Sequence, residues 1–254
     1  MNIIVCAKQV VDVSEMKIDS ATKKPILQGV PQKISDMDKN AIEEAIKIKE
    51  KHGGKITVLT VGLANAKERI KELLAMGADE GLLVTASDNI DYHMTATLLA
   101  EAVKKIGGYN IILCGEASID MFSGQIGPRL AANLKIPQIT YAQKVTAEKD
   151  KITAERNMGE QMIVTESTYP VLVTVTKEIN IPRLPSLMQI LASANKPIKE
   201  ITADSLTKNL NPLVQTIDLK GVSMERKNVV YKDDIDQSVK QLVNNLAKEG
   251  VLRG

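Results

Sequence analysis

The sequence predicts an α/β fold: a doubly wound, mostly parallel sheet with a small antiparallel β addition and an extended C-terminal arm. Three observations carry this. As far as about residue 134, short apolar runs rich in β-branched residues alternate with segments of helical period, the pattern of a parallel sheet with helices on both faces. After Pro137, several short strand-like runs follow one another without helices between them. From 195 to 232 scattered apolar residues hold neither period, and a segment of that kind reads as an arm that packs on a partner. Residues 1–194 are therefore expected to form the α/β domain, and 195–254 an arm and helix covering another subunit.

The elements follow in order. Asn2–Ala7 is a buried strand. Residues 8–34 read as irregular, punctuated by Pro25, Gly29 and Pro31. Ser35 and Asp36 offer an N-cap, and Ala41, Ile42, Ala45, Ile46 and Ile48 then fall on one helical face until Gly53-Gly54. Strands are expected at Lys55–Val61, Gly81–Thr85 and Tyr109–Cys114. Helices are expected at Ala64–Met76, Tyr92–Ile106 and from about 125–127 to Leu134. Short strands follow at Gln143–Val145, Lys151–Asn157, Gln161–Glu166 and Val171–Thr176, some of them antiparallel, and a last helix lies near Asp233–Lys248.

Composition narrows the function. With one Phe, no Trp and five Tyr among 254 residues, the core must be aliphatic. A net charge of +2, without a basic run or interleaved aromatics, excludes a nucleic-acid partner. No apolar stretch approaches the roughly 20 residues that span a bilayer, so membrane insertion is not expected. The first residues, MNIIVCAKQV, lack the basic start and cleavage site of a signal peptide. Cys6 and Cys114 lie in apolar strands, which points to buried free thiols and a cytoplasmic location. Two cysteines and two distant histidines, His52 and His93, have no metal-ligand spacing.

The segment Gly115 to Pro128 carries the main chemistry. A strand ends at Gly115, and Pro128, which lacks an N–H, belongs in the first three positions of the next helix. The amides of Ser123, Gly124 and Gln125 then stand free at the positive end of a helix dipole, an arrangement that holds phosphates. A plain glycine-eased turn is the alternative. Lys8, just past the first strand, falls on the same rim and could face a phosphate, a carboxylate or solvent. Ser35 to Asp38 opens the first helix, where simple capping would account for these residue types. No nucleophile–base–acid set is present, which suggests a binding or electron-carrying subunit rather than a catalytic residue set.

Five blocks, in this order, resemble the β subunit of electron-transferring flavoproteins: Val5–Val10, Asp36–Ala45, Leu74–Asp79, Gly115–Gly127 and Ile179–Leu187. The resemblance implies an adenine-nucleotide-binding α/β domain paired with a larger α subunit. It implies cofactor contacts from Cys6, Ala7, Lys8, Ser35, Asp36, Met37, Asp38, Val61, Ala117, Ser118, Ile119, Asp120, Met121, Phe122, Ser123, Gly124, Gln125, Ile126, Gly127 and Pro128. It places the docking of a partner flavin dehydrogenase, such as an acyl-CoA or 2-hydroxyacid dehydrogenase, on Ile181, Pro182, Arg183, Leu184 and Leu187. The run Lys8–Asp19 and the stretch Gln125–Pro128 are similar to the NAD-linked, electron-bifurcating branch, and the loop also resembles FixA-type proteins. Members of that branch hold FAD in this site, take electrons from NADH and deliver one to ferredoxin. The alternatives are AMP as a structural filler in a single-FAD carrier and, outside the family's role, a stand-alone nucleotide-binding regulator. Met121 and Phe122 depart from the acidic and hydroxyl residues usual in this loop, as Ser35-Asp36 departs from the usual Asn-Pro. Both departures favour backbone over side-chain contacts.

Overall fold

The computed structural model describes residues 1–208, 211–221 and 227–252. The chain begins with β1 (Asn2–Cys6), two short strands β2 (Gln9–Val11) and β3 (Lys17–Ile18), then β4 (Pro25–Ile26) and β5 (Gln32–Ile34). Helix α1 (Asp36–His52) leads to β6 (Lys55–Gly62), α2 (Lys67–Met76), β7 (Glu80–Thr85), α3 (Tyr92–Ile106) and β8 (Ile111–Gly115). Next come α4 (Ile126–Leu134), β9 (Gln138–Ala147), β10 (Lys151–Asn157), β11 (Met162–Thr168) and β12 (Val171–Val175). Helix α5 (Leu187–Ser193), β13 (Ile198–Thr202) and α6 (Ile235–Lys248) complete the chain.

Nine strands form one sheet in the order β11-β10-β9-β12-β8-β1-β6-β7-β13. The pairs from β9 through to β13 are parallel, and β10 and β11 add an antiparallel edge. The doubly wound expectation therefore holds. On one face α1 and α2 bury Ile42, Ala45, Ile70 and Leu73 against Ile3, Val5, Ile56 and Val58. On the other, α3 and α4 bury Leu98, Leu99 and Leu130 against Ile4, Leu59 and Ile112. Alternate strand residues thus serve opposite faces, and each fully buried Ile or Leu contributes roughly 1.5–3 kcal/mol.

Two expectations are corrected. Residues 8–34 are not wholly irregular: β2 pairs with β5 and β3 with β4 in two small antiparallel ribbons. The arm does not begin at 195, because Ile198–Thr202 joins β7 in parallel as the far edge of the main sheet. Half-buried Ile198 and Ile201 pack on opposite faces of the sheet, with exposed Lys199 and Glu200 between them, so this short edge strand shows no period of two. Beyond it, the arm crosses the rim formed by the C-terminal strand ends. Asp91, the N-cap of α3, accepts the amides of Leu213 (2.7 Å) and Val214 (3.0 Å). The Gly221 amide donates to the Lys23 carbonyl (2.7 Å) beside the β3–β4 ribbon. Helix α6 leaves Ile235, Val239, Leu242 and Val243 exposed along one face.

Candidate functional site

The chain winds from β1 through β6 and β7 on one side, then returns through α3 to β8 on the other side of β1. Loops leaving β1 and β8 diverge at this switch point and open a crevice at the carboxyl ends of the strands. Asp38 lies across it. Its buried carboxylate accepts the Lys8 amide (2.8 Å) at the end of β1 and the Gly115 amide (3.0 Å) at the end of β8. Burial pushes the Asp38 carboxyl up to about 7, against the lowering effect of those two hydrogen bonds and of Lys8. A Cβ on Gly115 would meet Asp38 Oδ1 and Met37 Cβ at 2.7 Å, and one on Gly127 would meet Thr174 Cγ2 at 2.4 Å. Both glycines let a helix approach the sheet closely.

Lys8 resolves towards a carboxylate. Its ammonium pairs with Asp120 (2.7 Å) and reaches the Ser118 hydroxyl (3.5 Å). Burial acts to raise the Asp120 carboxyl, but hydrogen bonds from Lys8 and Ser118 and the charge of Lys8 outweigh it and hold it below its usual range. The loop is thereby pinned to the end of β1. From there it turns through Phe122 (φ +47°) and Gly124 (φ +62°) into α4, whose third residue is Pro128, as expected. The amides of Ser123, Gly124 and Gln125 have no acceptor among the described residues. Helix α4 has no acidic residue in its first turn and no side-chain cap, the Gln125 carboxamide oxygen being taken by Arg129 (2.9 Å). Ser35 stands at the N-cap position of α1 but does not cap it. Its hydroxyl is fully buried and unpartnered among the described residues. Simple capping therefore does not account for Ser35. A row of free amides at an uncapped helix start fits an adenine nucleotide with its phosphates at the start of α4.

Other expected positions are less direct. The Cys6 thiol is buried on the α3–α4 side, pushed up to about 12 by burial and by Asp38, so only its backbone is available to a ligand. Asp36 is exposed and pairs with Lys33 (3.3 Å). Val61 lies near the end of β6, Ala117 is buried, and Met121 is half exposed with its amide on Asp120. Ile126 packs against the α3–α4 core.

Sequence reasoning did not single out Glu116. Its buried carboxylate accepts the Tyr141 amide (3.0 Å) and the Thr174 hydroxyl on the β9–β12 side of the loop. There it lines a cleft of about 370 Å³ together with Phe122, Tyr141 and Thr176. A carboxylate beside a strand-ending glycine was visible in the sequence, but its partners lie on strands far along the chain.

The expected docking segment forms a separate surface along α1. Arg183 holds Glu43 through Nε (2.9 Å) and Nη2 (3.0 Å), and Glu50 through Nη1 (2.6 Å). Asn180 and Asn40 exchange two further hydrogen bonds (2.8 and 3.0 Å). On this clamp Pro182 is half buried, while Ile181 and Leu184 are each 92% exposed and Leu187 is 71% exposed. Ser186 and Gln189 start α5 with a reciprocal capping box.

Residues 24–206 match the electron transfer flavoprotein domain. The chain belongs to the electron transfer flavoprotein β-subunit family. It is similar to the electron transfer flavoprotein subunit beta of Thermoanaerobacterium thermosaccharolyticum, at 41% identity over 99% of this chain and 100% of that protein. The Bacillus subtilis subunit beta is 34% identical over 98% of each chain. A subunit of Acetobacterium woodii named caffeyl-CoA reductase-Etf complex subunit CarD is 38% identical, covering 78% of this chain and 77% of that protein. Among the described residues, no helix is long and apolar enough to cross a membrane.

Proposed function

We propose that the chain is the β subunit of a heterodimeric, electron-bifurcating flavoprotein of the cytoplasm, with FAD in the crevice between β1 and β8. The observation that carries this reading is the uncapped start of α4, with its free amides from Ser123 to Gln125, of which Ser123 and Gly124 line a cleft with Met37 and Ala117. These groups, with the backbone of Ala7, of Ser35 to Asp38, of Val61 and of Ala117 to Phe122, would hold the adenine nucleotide. The acidic pairing of Lys8 with Asp120 would keep the loop in the phosphate-binding shape. Bound there, the flavin would supply two-electron acceptance from NADH and single-electron delivery to ferredoxin and to the FAD of an α subunit.

The protein's own part is to bind and orient. The clamp of Arg183 on Glu43 and Glu50 would present Ile181, Leu184 and Leu187 as a preformed apolar anchor to a flavin dehydrogenase, of the acyl-CoA or 2-hydroxyacid type. The exposed apolar face of α6 would pack on the α subunit. Support for bifurcation comes from the Lys8–Asp19 run and from the likeness to the subunit named for a caffeyl-CoA reductase-Etf complex.

Acid extraction of the purified heterodimer tests the reading. Two FAD per heterodimer are expected. One FAD with one AMP would instead assign the crevice to a structural nucleotide and remove bifurcation.

A further inference from the structure

We infer that Glu116 is a specificity-determining residue of the nucleotide crevice, whose carboxylate excludes a nucleoside triphosphate and admits a nucleotide whose phosphates end in an uncharged group. With the loop before α4 as the phosphate holder, on which this rests, the cleft that Ser123, Gly124, Met37 and Ala117 line is lined by Glu116 as well. Glu116 is 9% exposed. One carboxylate oxygen, Oε2, accepts both the Tyr141 amide and the Thr174 hydroxyl. The other, Oε1, has no donor among the described residues and lies 3.6 Å from where a Cβ on Gly124 would stand. No cation pairs with Glu116 among the described residues. Lys177 and Glu178 also line the cleft, but both are exposed and their charges are of opposite sign. A carboxylate is therefore fixed beside the middle of the loop whose amides would take the phosphates.

Two opposing effects then act on a bound anion. The amides of Ser123, Gly124 and Gln125 attract the first phosphates. Each further ionised phosphate along the cleft meets Oε1, and repulsion between like charges is stronger in a partly dehydrated cleft than in water. An uncharged end escapes that repulsion, and one that carries N–H or O–H groups finds in Oε1 an acceptor with no other donor. Phe122 and Tyr141 line the same cleft, are 69% and 44% exposed, and offer apolar faces to a flat neutral group. Selection of this kind comes from a charge set against the wrong ligand as much as from contacts with the right one.

The test titrates the isotope-labelled full chain, freed of co-purified nucleotide, with AMP, ADP, ADP-ribose and ATP. It follows the backbone amide signals of Ser123, Gly124 and Gln125. AMP should bind at least about tenfold more tightly than ATP. ADP-ribose, which carries the diphosphate of ADP with a neutral end, should bind severalfold more tightly than ADP. Glu116→Gln keeps an oxygen for the Tyr141 amide and for Thr174 but removes the charge, and should narrow the difference between AMP and ATP about tenfold. A ratio of two affinities in one protein cancels any general loosening of the loop, so a merely structural Glu116 would leave it unchanged. The comparison of ADP with ADP-ribose needs only the native chain and stands even where the variant does not fold. ATP binding as tightly as AMP, ADP-ribose binding no more tightly than ADP, or an unchanged ratio in the variant overturns the role of Glu116 and leaves the loop as phosphate holder. No saturable shift of the three amides with any of the nucleotides would remove the phosphate-binding reading itself, and the role of Glu116 with it.

Discussion

The starts of α1 and α4 meet at one cleft, which Met37 lines together with Ser123 and Gly124, and they meet the positive end of the helix dipole differently. Helix α1 carries Asp36 and Asp38 in its first turn, and Asp38 also closes the crevice floor by taking the amides of Lys8 and Gly115. Helix α4 carries no acidic residue and no side-chain cap there, and the loop before it leaves three successive amides without an acceptor among the described residues. A negative group at a helix start contributes about 0.3–1 kcal/mol when exposed and up to about 2 kcal/mol when partly buried. The first helix draws that stabilisation from its own chain, whereas the fourth has no such group of its own. The difference teaches that two helix ends of the same kind can make one wall closed by its own carboxylate and one wall whose amides stay open.

Four substitutions or conditions would break or sharpen this contrast. The largest effect is expected for Asp38→Ala, which strands the Lys8 and Gly115 amides in a buried setting. A loss of about 2–5 kcal/mol in chemical denaturation would follow from two unsatisfied groups. An effect no larger than that of an exposed substitution would remove Asp38 as the crevice floor. Next comes Gly127→Ala, whose Cβ would overlap Thr174 Cγ2 at 2.4 Å. Overpacking of this kind costs about 1–3 kcal/mol, read from the same denaturation curves.

The pH dependence follows from Asp38 as well. Its carboxyl sits at about 7 when folded and in the ordinary carboxylate range when unfolded, so the folded chain holds the proton more tightly between those values. That contribution to stability is fully present below the ordinary range and is lost as pH rises to about 7. The thermal midpoint of the native chain, referenced to an Asp38→Asn variant, should therefore fall across this window and level off above it. A rising difference would show that the carboxylate is held ionised. The smallest effect on stability is expected for Gly124→Asp. Aspartate tolerates the left-handed region at a cost of about 1 kcal/mol, yet it sets a negative charge where phosphates would bind. The fold should persist while co-purified nucleotide is lost, and undiminished nucleotide would show the loop to be only a turn.

The same contrast separates what could be read early from what could not. Pro128 placed the start of α4 correctly, because a missing N–H and a fixed φ are local properties. The alternation through β8 was likewise legible in hydrophobic period, and α3 runs from Tyr92 to Ile106 as expected. Ser35 looked like a cap because residue type alone suggests one, but in the fold its hydroxyl is buried without a partner. β13 carries little periodic signal, because an edge strand is half exposed.

By itself, then, the sequence determined the doubly wound class, the aliphatic core and the turn into α4, since each rests on the period of apolar residues or on the stereochemistry of proline and glycine within a few positions. Only the tertiary structure decided that Lys8 faces Asp120, that Asp38 bridges two strands, that Arg183 clamps the exposed loop to α1, and that Glu116 faces a cleft beside Phe122 and Tyr141. Those pairings join residues from 25 to 140 positions apart. Side-chain partners at such separations are set by how strands and helices are laid together, and no local pattern encodes that.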